Sequence, residues 1–521
     1  PLSGAAVVRS AWGITLWTFV SRITGVLRDA TIARFLGASA ASDAFWTAFR
    51  IPNAFRAILG EGGLPGAFVP MAKKVARERP GQEGLYAGRM FTGLLAVLVV
   101  VVALGVVFAP ALVTVFASGF RSTPGKFELT VFLTRLLFPY ILLVSLASLL
   151  ESYLNSKGRF QLAAATPVAL NLSIVLAAYA LAPLSVPVPV ALCIGVIAGG
   201  LAQLLMQAPL ARKLGFVFGG SPAGDPEVAR TALQIAPRLY GYGIGQINFL
   251  ISSRTLSSLG DAFITYNFNA FRVVDLVQGG FVVSMTKALL PSLSEQALDE
   301  DKTAFEKTIL FGLRLVAFAT VPATLGLMLL GGPVIDVIFR RGEFGVDAVR
   351  QTAHAVFFFA IGLFASSAVK ILTQAFFALH DTKTPVFVAT FDLVAFWILC
   401  VTLAGSMSHA GVALATAAGF WINFLVLFVL LKRRVSKGFG RTLLPCFARL
   451  FGATLAMGVF VVALGEKFLP YRPAWSLVVR IGWLGVVIGG AAAVFVGAAW
   501  MLRAPELEET FGALLRRRRK A

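Results

Sequence analysis

The sequence predicts an all-α polytopic membrane protein of about fourteen transmembrane helices, arranged as two pseudo-symmetric six-helix lobes and two extra C-terminal helices. Three observations predict it. Of 521 residues 58% are hydrophobic, 50 more are Gly, only 14% are charged, and mean hydropathy is +0.82. Soluble domains hold roughly 45 to 50% apolar residues with Gly included. Second, apolar runs such as LLAVLVVVVALGVVFAPALVTVFA (residues 94–117) continue without alternation for a helix-length span. A porin-type barrel would alternate polar and apolar residues instead. Third, the chain repeats a polar motif between its halves. These features exclude a soluble enzyme, a disordered chain and a coiled coil.

Cutting the chain at its polar and Pro/Gly-rich breaks gives the elements in order. A first lobe, residues 1–215, holds segments 5–34, 40–72, 88–115, 129–156, 160–182 and 188–211. A second lobe, residues 226–433, holds 228–257, 262–291, 304–331, 350–378, 384–404 and 411–432. Two more, 443–465 and 476–502, lie in residues 441–503, and 504–521 form a basic tail. The first segment has no small-residue cleavage site after it and is expected to remain a span. Alternate loops differ in charge: one set carries about eighteen Lys and Arg, including Lys73, Lys74, Arg77, Lys157, Arg212, Lys432 and Arg433, the other roughly eight. Both termini are therefore expected in the cytoplasm. The tail Arg516-Arg517-Arg518-Arg519-Lys520 fits an anchor on anionic lipid headgroups.

The net charge of +21 is accordingly read against the membrane, and no nucleic-acid partner is expected. Cys193, Cys400 and Cys446 lie far apart in apolar runs and suit packing, not disulfides or zinc. His354, His380 and His409 are equally scattered, without metal-site spacing.

The repeat has an offset of about 220 residues. Asp43-Ala44-Phe45 with Thr47 matches Asp261-Ala262-Phe263 with Thr265, and Ala48-Phe49-Arg50 matches Ala270-Phe271-Arg272. Gly62-Gly63 and Gly279-Gly280 follow, then Pro70 and Pro291. Parallel repeats of this kind are typical of transporters that hold substrate between two lobes at mid-membrane.

Charges inside the spans carry the functional argument. The first span holds Arg22, Arg28 and Asp29; the second holds Asp43, Arg50, Asn53, Arg56 and Glu61; the eighth holds Asn269, Arg272 and Asp275. A central Arg or Asp costs about 2.5–3.5 kcal/mol on insertion scales, so such residues face protein or an aqueous cavity. Arg outnumbers acid here, and its planar fork binds phosphate or carboxylate bidentately. The expected cargo is anionic, with the alternative that the arginines pair with acids to hold helices together. Arg50, close to Pro52 and Asp43, is read as structural. No nucleotide-binding loop is present, no cofactor is expected, and energy must come from an ion gradient, the membrane potential or the substrate's own gradient. Asp392 and Asn423 are weak candidates for a coupling-cation or metal site. No catalytic residue is assigned.

The strings SRITGVLRDATIARFLG, SDAFWTAFRIPNAFRAILGEGGLPGAFVP, LLPSLSE and DTKTP resemble those of the MurJ (MviN-type) lipid II flippases, within the multidrug/oligosaccharidyl-lipid/polysaccharide exporter superfamily. The resemblance implies a transporter, not an enzyme, in the bacterial plasma (inner) membrane. Its cargo would be lipid II, an undecaprenyl-diphosphate-linked disaccharide pentapeptide, moved to the outer leaflet for peptidoglycan synthesis by alternating access. Matching motifs place substrate binding on Arg22, Arg28, Arg56, Arg272 and Asn53. Charge pairing that changes between states falls on Asp29, Asp43, Glu61 and Asp275. The last two helices would form a groove for the lipid tail, and a monomer is expected. Another flippase or drug exporter of the superfamily, or a membrane-embedded prenyl-phosphate enzyme, stand as the alternatives.

Overall fold

A computed structural model describes residues 4–56, 64–435, 440, 443–465 and 469–507. Within them the chain is α-helical, with short 3₁₀ turns at Ser118–Ser122 and Ala182–Leu184. It divides into two compact units, Pro1–Thr265 with Arg341–Gly345, and Tyr266–Arg340 with Val346–Ala521.

In the first unit α1 (Gly4–Leu36), α2 (Ala40–Arg56), α3 (Leu64–Glu78), α4 (Glu83–Val107), α5 (Ala109–Phe116), α6 (Lys126–Leu137), α7 (Pro139–Ser156), α8 (Phe160–Leu181), α9 (Val188–Lys213) and α10 (Pro226–Ser257) follow in order. Helix α8 packs on both α1 and α9. The close approach of α8 and α9 depends on small residues. A Cβ on Gly195 would lie 2.8 Å from Ile174 Cα, and one on Gly199 2.8 Å from Leu170 Cα, so this GxxxG pair lets two backbones meet. Pro110 and Pro139 open α5 and α7, where a missing backbone donor costs nothing. Asp225 caps α10, accepting from the Glu227 and Val228 amides, with Pro226 in the first turn. Burial opposes its charge, but the Arg89 guanidinium and those amides hold the Asp225 carboxyl below its ordinary value.

The second unit continues with α11 (Phe263–Gln296), α12 (Thr303–Phe339), α13 (Val346–Ile361), α14 (Leu363–Ala378), α15 (Lys383–Val435), α16 (Leu443–Ala463) and α17 (Leu477–Met501). Helices α13 and α14 meet at a one-residue break with a bend of 42°. Gly362 sits at the bend, where a Cβ would come within 2.8 Å of Ala417 Cα. Helix α15 is two helices merged across Ser408, whose φ of 56° and ψ of −139° interrupt the helix. One apolar core joins α11, α12, α14, the second limb of α15, α16 and α17. The DTKTP string folds as a cap for α15: Asp381 accepts from the Lys383 and Thr384 amides and the Thr384 hydroxyl, while Arg434 reaches the same carboxylate at 2.5 Å. Burial works against the charge, but the Thr384 hydroxyl and amide and Arg434 overcome it and bring the Asp381 carboxyl down to about 2.

Each segment expected from the sequence falls, wholly or in its described part, on helix. By length and composition, 8 of the described helices can cross a membrane, or 9 with the bent pair. Helices α1, α2, α10 and α11 are outside that set, and α1, α2 and α11 carry the embedded charges.

Two outcomes follow from this packing. Gly199→Leu overpacks the α8–α9 contact and costs about 1–3 kcal/mol, seen as a lower melting temperature in detergent. Gly489→Leu, whose Cβ meets nothing within 4 Å, leaves melting unchanged. Asp381 is depressed when folded, so its contribution is present above the ordinary 3.8 and is lost as pH falls towards about 2. Melting curves of Asp381→Asn should therefore differ from those of the parent protein at neutral pH and converge with them as the pH approaches 2.

Candidate functional site

The embedded charges form distinct clusters, each built on a different helix. On α1, Arg28 and Asp29 are 7% and 4% exposed. Arg28 donates Nε and Nη2 to Asp29 Oδ1 at 2.9 and 2.7 Å and Nη1 to Asn171 Oδ1 at 3.0 Å. Asn171, on α8, donates in turn to the Ser21 carbonyl and the Thr24 hydroxyl, both at 3.2 Å. Arg28 is thus held inside the bundle. Arg22, less than two turns earlier, is half-buried and makes no hydrogen bond or ion pair among the described residues.

On α2, Asp43 is fully buried. Its Oδ2 accepts from Lys126 Nζ at 2.9 Å and the Ala262 amide at 2.8 Å, and its Oδ1 accepts from the Thr265 amide at 2.9 Å and hydroxyl at 2.7 Å. Lys126, at the start of α6, also reaches Asp261 Oδ1 at 2.8 Å and lies 4.1 Å from the centre of the Phe120 ring. The two copies of the repeated Asp-Ala-Phe motif therefore meet, with one lysine between their acids. Further along α2, Arg56 Nε donates to Asn53 Oδ1 at 2.6 Å. Arg50 stacks 4.4 Å over Phe249 of α10, in keeping with a packing role. Glu61 lies outside the described residues.

In the second unit Arg272 is half-buried, 5.8 Å from the Phe268 ring one turn earlier on α11. Asp275 is half-buried and unpartnered among the described residues. Buried Gln278 donates to the Ser366 hydroxyl and to Ser367 Oγ at 3.0 Å, and accepts from Lys370 Nζ at 2.7 Å. Asp392 and Asn423 are both buried and 3.4 Å apart, from Nδ2 to Oδ2. No group of three or more His, Cys, Asp or Glu that could hold a metal occurs among the described residues. The three cysteines are free and buried.

Sequence reasoning placed the arginines and acids but missed several partners. Lys126 opens α6, at a segment end where a cation draws no notice, and Lys370 stands alone in an apolar helix. Asn171 and Gln278 carry no charge to draw attention. The signal that could have found Lys370 is the same insertion cost that singled out the arginines.

Comparison with known proteins places this arrangement in a family. The family described as Lipid II flippase MurJ matches residues 32–481. The Lipid II flippase MurJ of Burkholderia cenocepacia is 32% identical over 501 residues, covering 95% of this chain and 97% of that protein. A probable lipid II flippase MurJ of Rickettsia prowazekii is 28% identical, with 95% and 97% covered. Among solved structures, a lipid II flippase MurJ in an inward closed conformation matches with a TM-score of 0.77 at 22% identity, covering 92% of this chain and 98% of that one. An inward-facing multidrug resistance MATE transporter of the MOP superfamily shares the fold at a TM-score of 0.65 and 13% identity, over 80% and 94%. With the family matched over most of its length, the chain belongs to the lipid II flippase MurJ family.

Proposed function

We propose that this protein moves lipid II from the cytoplasmic to the outer leaflet of the bacterial plasma membrane by alternating access. It makes and breaks no covalent bond. One observation carries the reading at the level of residues: Arg22 is a half-buried intramembrane arginine with no acid among the described residues to neutralise it. Such a charge is expensive unless water or an anionic cargo meets it. A diphosphate suits the guanidinium fork, and the prenyl chain can remain in lipid.

In this reading the fourteen segments all cross the membrane, with both termini cytoplasmic. Residues 1–215 and 226–433 are the two lobes, and 441–503 supply a groove for the lipid tail. The basic tail, 504–521, rests on anionic headgroups, and the protein works as a monomer. Arg22, Arg56, Arg272 and Asn53 contact the diphosphate or the peptide carboxylates. Arg28 joins them once released from Asp29 and Asn171. Lys370, bound to Gln278, adds a cation to the polar part of the second unit. Asp29, Asp43, Glu61 and Asp275 exchange partners between states, Asp43 leaving Lys126 as it does so. The driving force is an ion gradient or the membrane potential.

The test measures how much lipid II an impermeant reagent reaches at the outer surface, alongside protein level. Arg22→Ala should leave protein level and melting close to normal while abolishing delivery. Arg22→Lys keeps the charge, loses the fork and delivers poorly. Normal delivery by well-folded Arg22→Ala would overturn the cargo assignment.

The Asp43–Lys126 pairing has its own signature. Lys126→Met strands Asp43 in the interior without a cation and should destabilise the protein by about 3–5 kcal/mol. Adding Asp43→Asn removes the stranded charge and recovers much of that loss, as a double-mutant cycle on melting would show.

A further inference from the structure

The hairpin of α16 and α17 is attached to α12 by two polar clusters. At one end Asp336 of α12, 4% exposed, binds three donors. Its Oδ2 accepts from the Tyr471 hydroxyl and from Arg480 Nη1 at 2.5 Å, and its Oδ1 accepts from Arg340 Nη1 at 3.1 Å. Arg340 also donates to the Pro473 carbonyl at 3.1 Å. Tyr471 and Pro473 belong to the segment joining α16 to α17, and Arg480 stands in the first turn of α17. Burial, and then the neighbouring Asp336 carboxylate, push the Tyr471 hydroxyl up to about 12, so it stays a donor at any working pH.

At the other end of α17, Glu506 is fully buried. It accepts from the Cys446 thiol of α16 at 3.1 Å and lies 3.8 Å from Arg314 of α12. Arg314 and Asp336 are separated along α12 by about 33 Å at about 1.5 Å per residue, close to the roughly 30 Å of a hydrocarbon core. The two clusters therefore sit one membrane thickness apart, where polar groups are cheapest. Between them α12 and α16 bound an apolar groove of about 440 Å³, lined by Leu325, Leu329, Leu455, Gly458, Val459 and Val462. Gly458 sets its depth, since a Cβ there would lie 2.7 Å from Leu325 Cδ2.

We infer that Asp336 and Glu506 are positioning residues that clamp the α16–α17 hairpin to α12 at both membrane faces and so fix the width of the groove for the cargo's prenyl chain. This rests on the lipid-tail reading above. Asp336 holds Arg480 and Tyr471 of the hairpin as well as Arg340 of its own helix, and buried Glu506 faces Arg314 of α12. Neither carboxylate can let go without stranding charge, so the hairpin and α12 move as one body. A groove held at fixed width accepts a long flexible chain without being rebuilt around it. The clamps thereby act on the chain and not on the diphosphate.

The experiment uses the full chain in nanodiscs of phosphatidylethanolamine and phosphatidylglycerol, with undecaprenyl diphosphate and farnesyl diphosphate as probes sharing one headgroup. Wild type should prefer the longer probe. Asp336→Asn and Glu506→Gln should cut that preference on the order of tenfold and leave farnesyl diphosphate binding unchanged. Spin labels on Leu329→Cys and Val459→Cys, across the groove, should give one narrow distance in the parent and a broad one in each variant. Tyr471→Phe removes a donor but keeps the charges paired, and shows the same signs more weakly should Asp336→Asn fail to fold. Unchanged label distances in both charge variants would overturn the clamps. Broadened distances with an unchanged chain preference would overturn their role in recognition. Equal binding of both probes by wild type, with label distances broadening as expected, would instead sink the lipid-tail reading while leaving the mechanical clamps standing.

Discussion

Hydrocarbon cannot solvate charge, and the internal architecture of this protein follows from how each embedded charge is met. Asp43 shows the rule at its strictest. A fully buried carboxylate is tolerable because four donors converge on it, one of them a lysine ammonium. Two of those donors are the amides of Ala262 and Thr265 at the start of α11, groups that would otherwise be unpaired at a helix N-terminus. One acid thus satisfies a side-chain cation and a helix end together. Asp225 with Arg89 and Asp381 with Arg434 repeat the device.

Legibility in the sequence tracks distance along the chain. The helices were legible because an apolar run must be helical in a bilayer, where every backbone amide needs an internal partner. The Asp43 and Asp261 repeat was legible as a pattern, and so was the DTKTP string, whose capping bonds run only two or three residues. The partners were not. Lys126 reaches across 83 residues to Asp43, Arg28 across 143 to Asn171, and Arg480 across 144 to Asp336. No local periodicity encodes such pairings. The sequence therefore named the expensive residues on α1, α2 and α11 without telling which were already neutralised within the fold.

That difference decides the meaning of Arg22 and Arg28, which sequence reasoning treated alike. They share a helix and a residue type, yet Arg28 is bound on three nitrogens while Arg22 has no described partner. The Arg28–Asp29 pair is also unusual in joining adjacent residues, whose side chains leave an α-helix about 100° apart. The guanidinium must fold back to reach its neighbour, and Asn171 holds it there from α8. Such a pair lets two adjacent residues on one helix neutralise each other. In the proposed cycle a diphosphate oxygen would replace Asn171 Oδ1 on Nη1, since both are acceptors.

The same reasoning separates what must move from what must not. Asp275 is a half-buried acid with no partner among the described residues, so taking up a partner costs it no existing bond. Asp29 would have to give up its hydrogen bonds to Arg28, typically about 1.5–3 kcal/mol each when charged. Asp336 binds two arginines and a tyrosine at once, and breaking it would strand several charges together, which is far more costly. A transporter that alternates between states needs both kinds. In the proposed cycle Arg22 and Asp275, which have no partner among the described residues, are the charges available to exchange, while the cluster on α12 ties the α16–α17 hairpin to that helix. Under that proposal the division follows the chemistry of the cargo: exchangeable charges suit a polar headgroup, and permanent ones border the apolar groove beside α16.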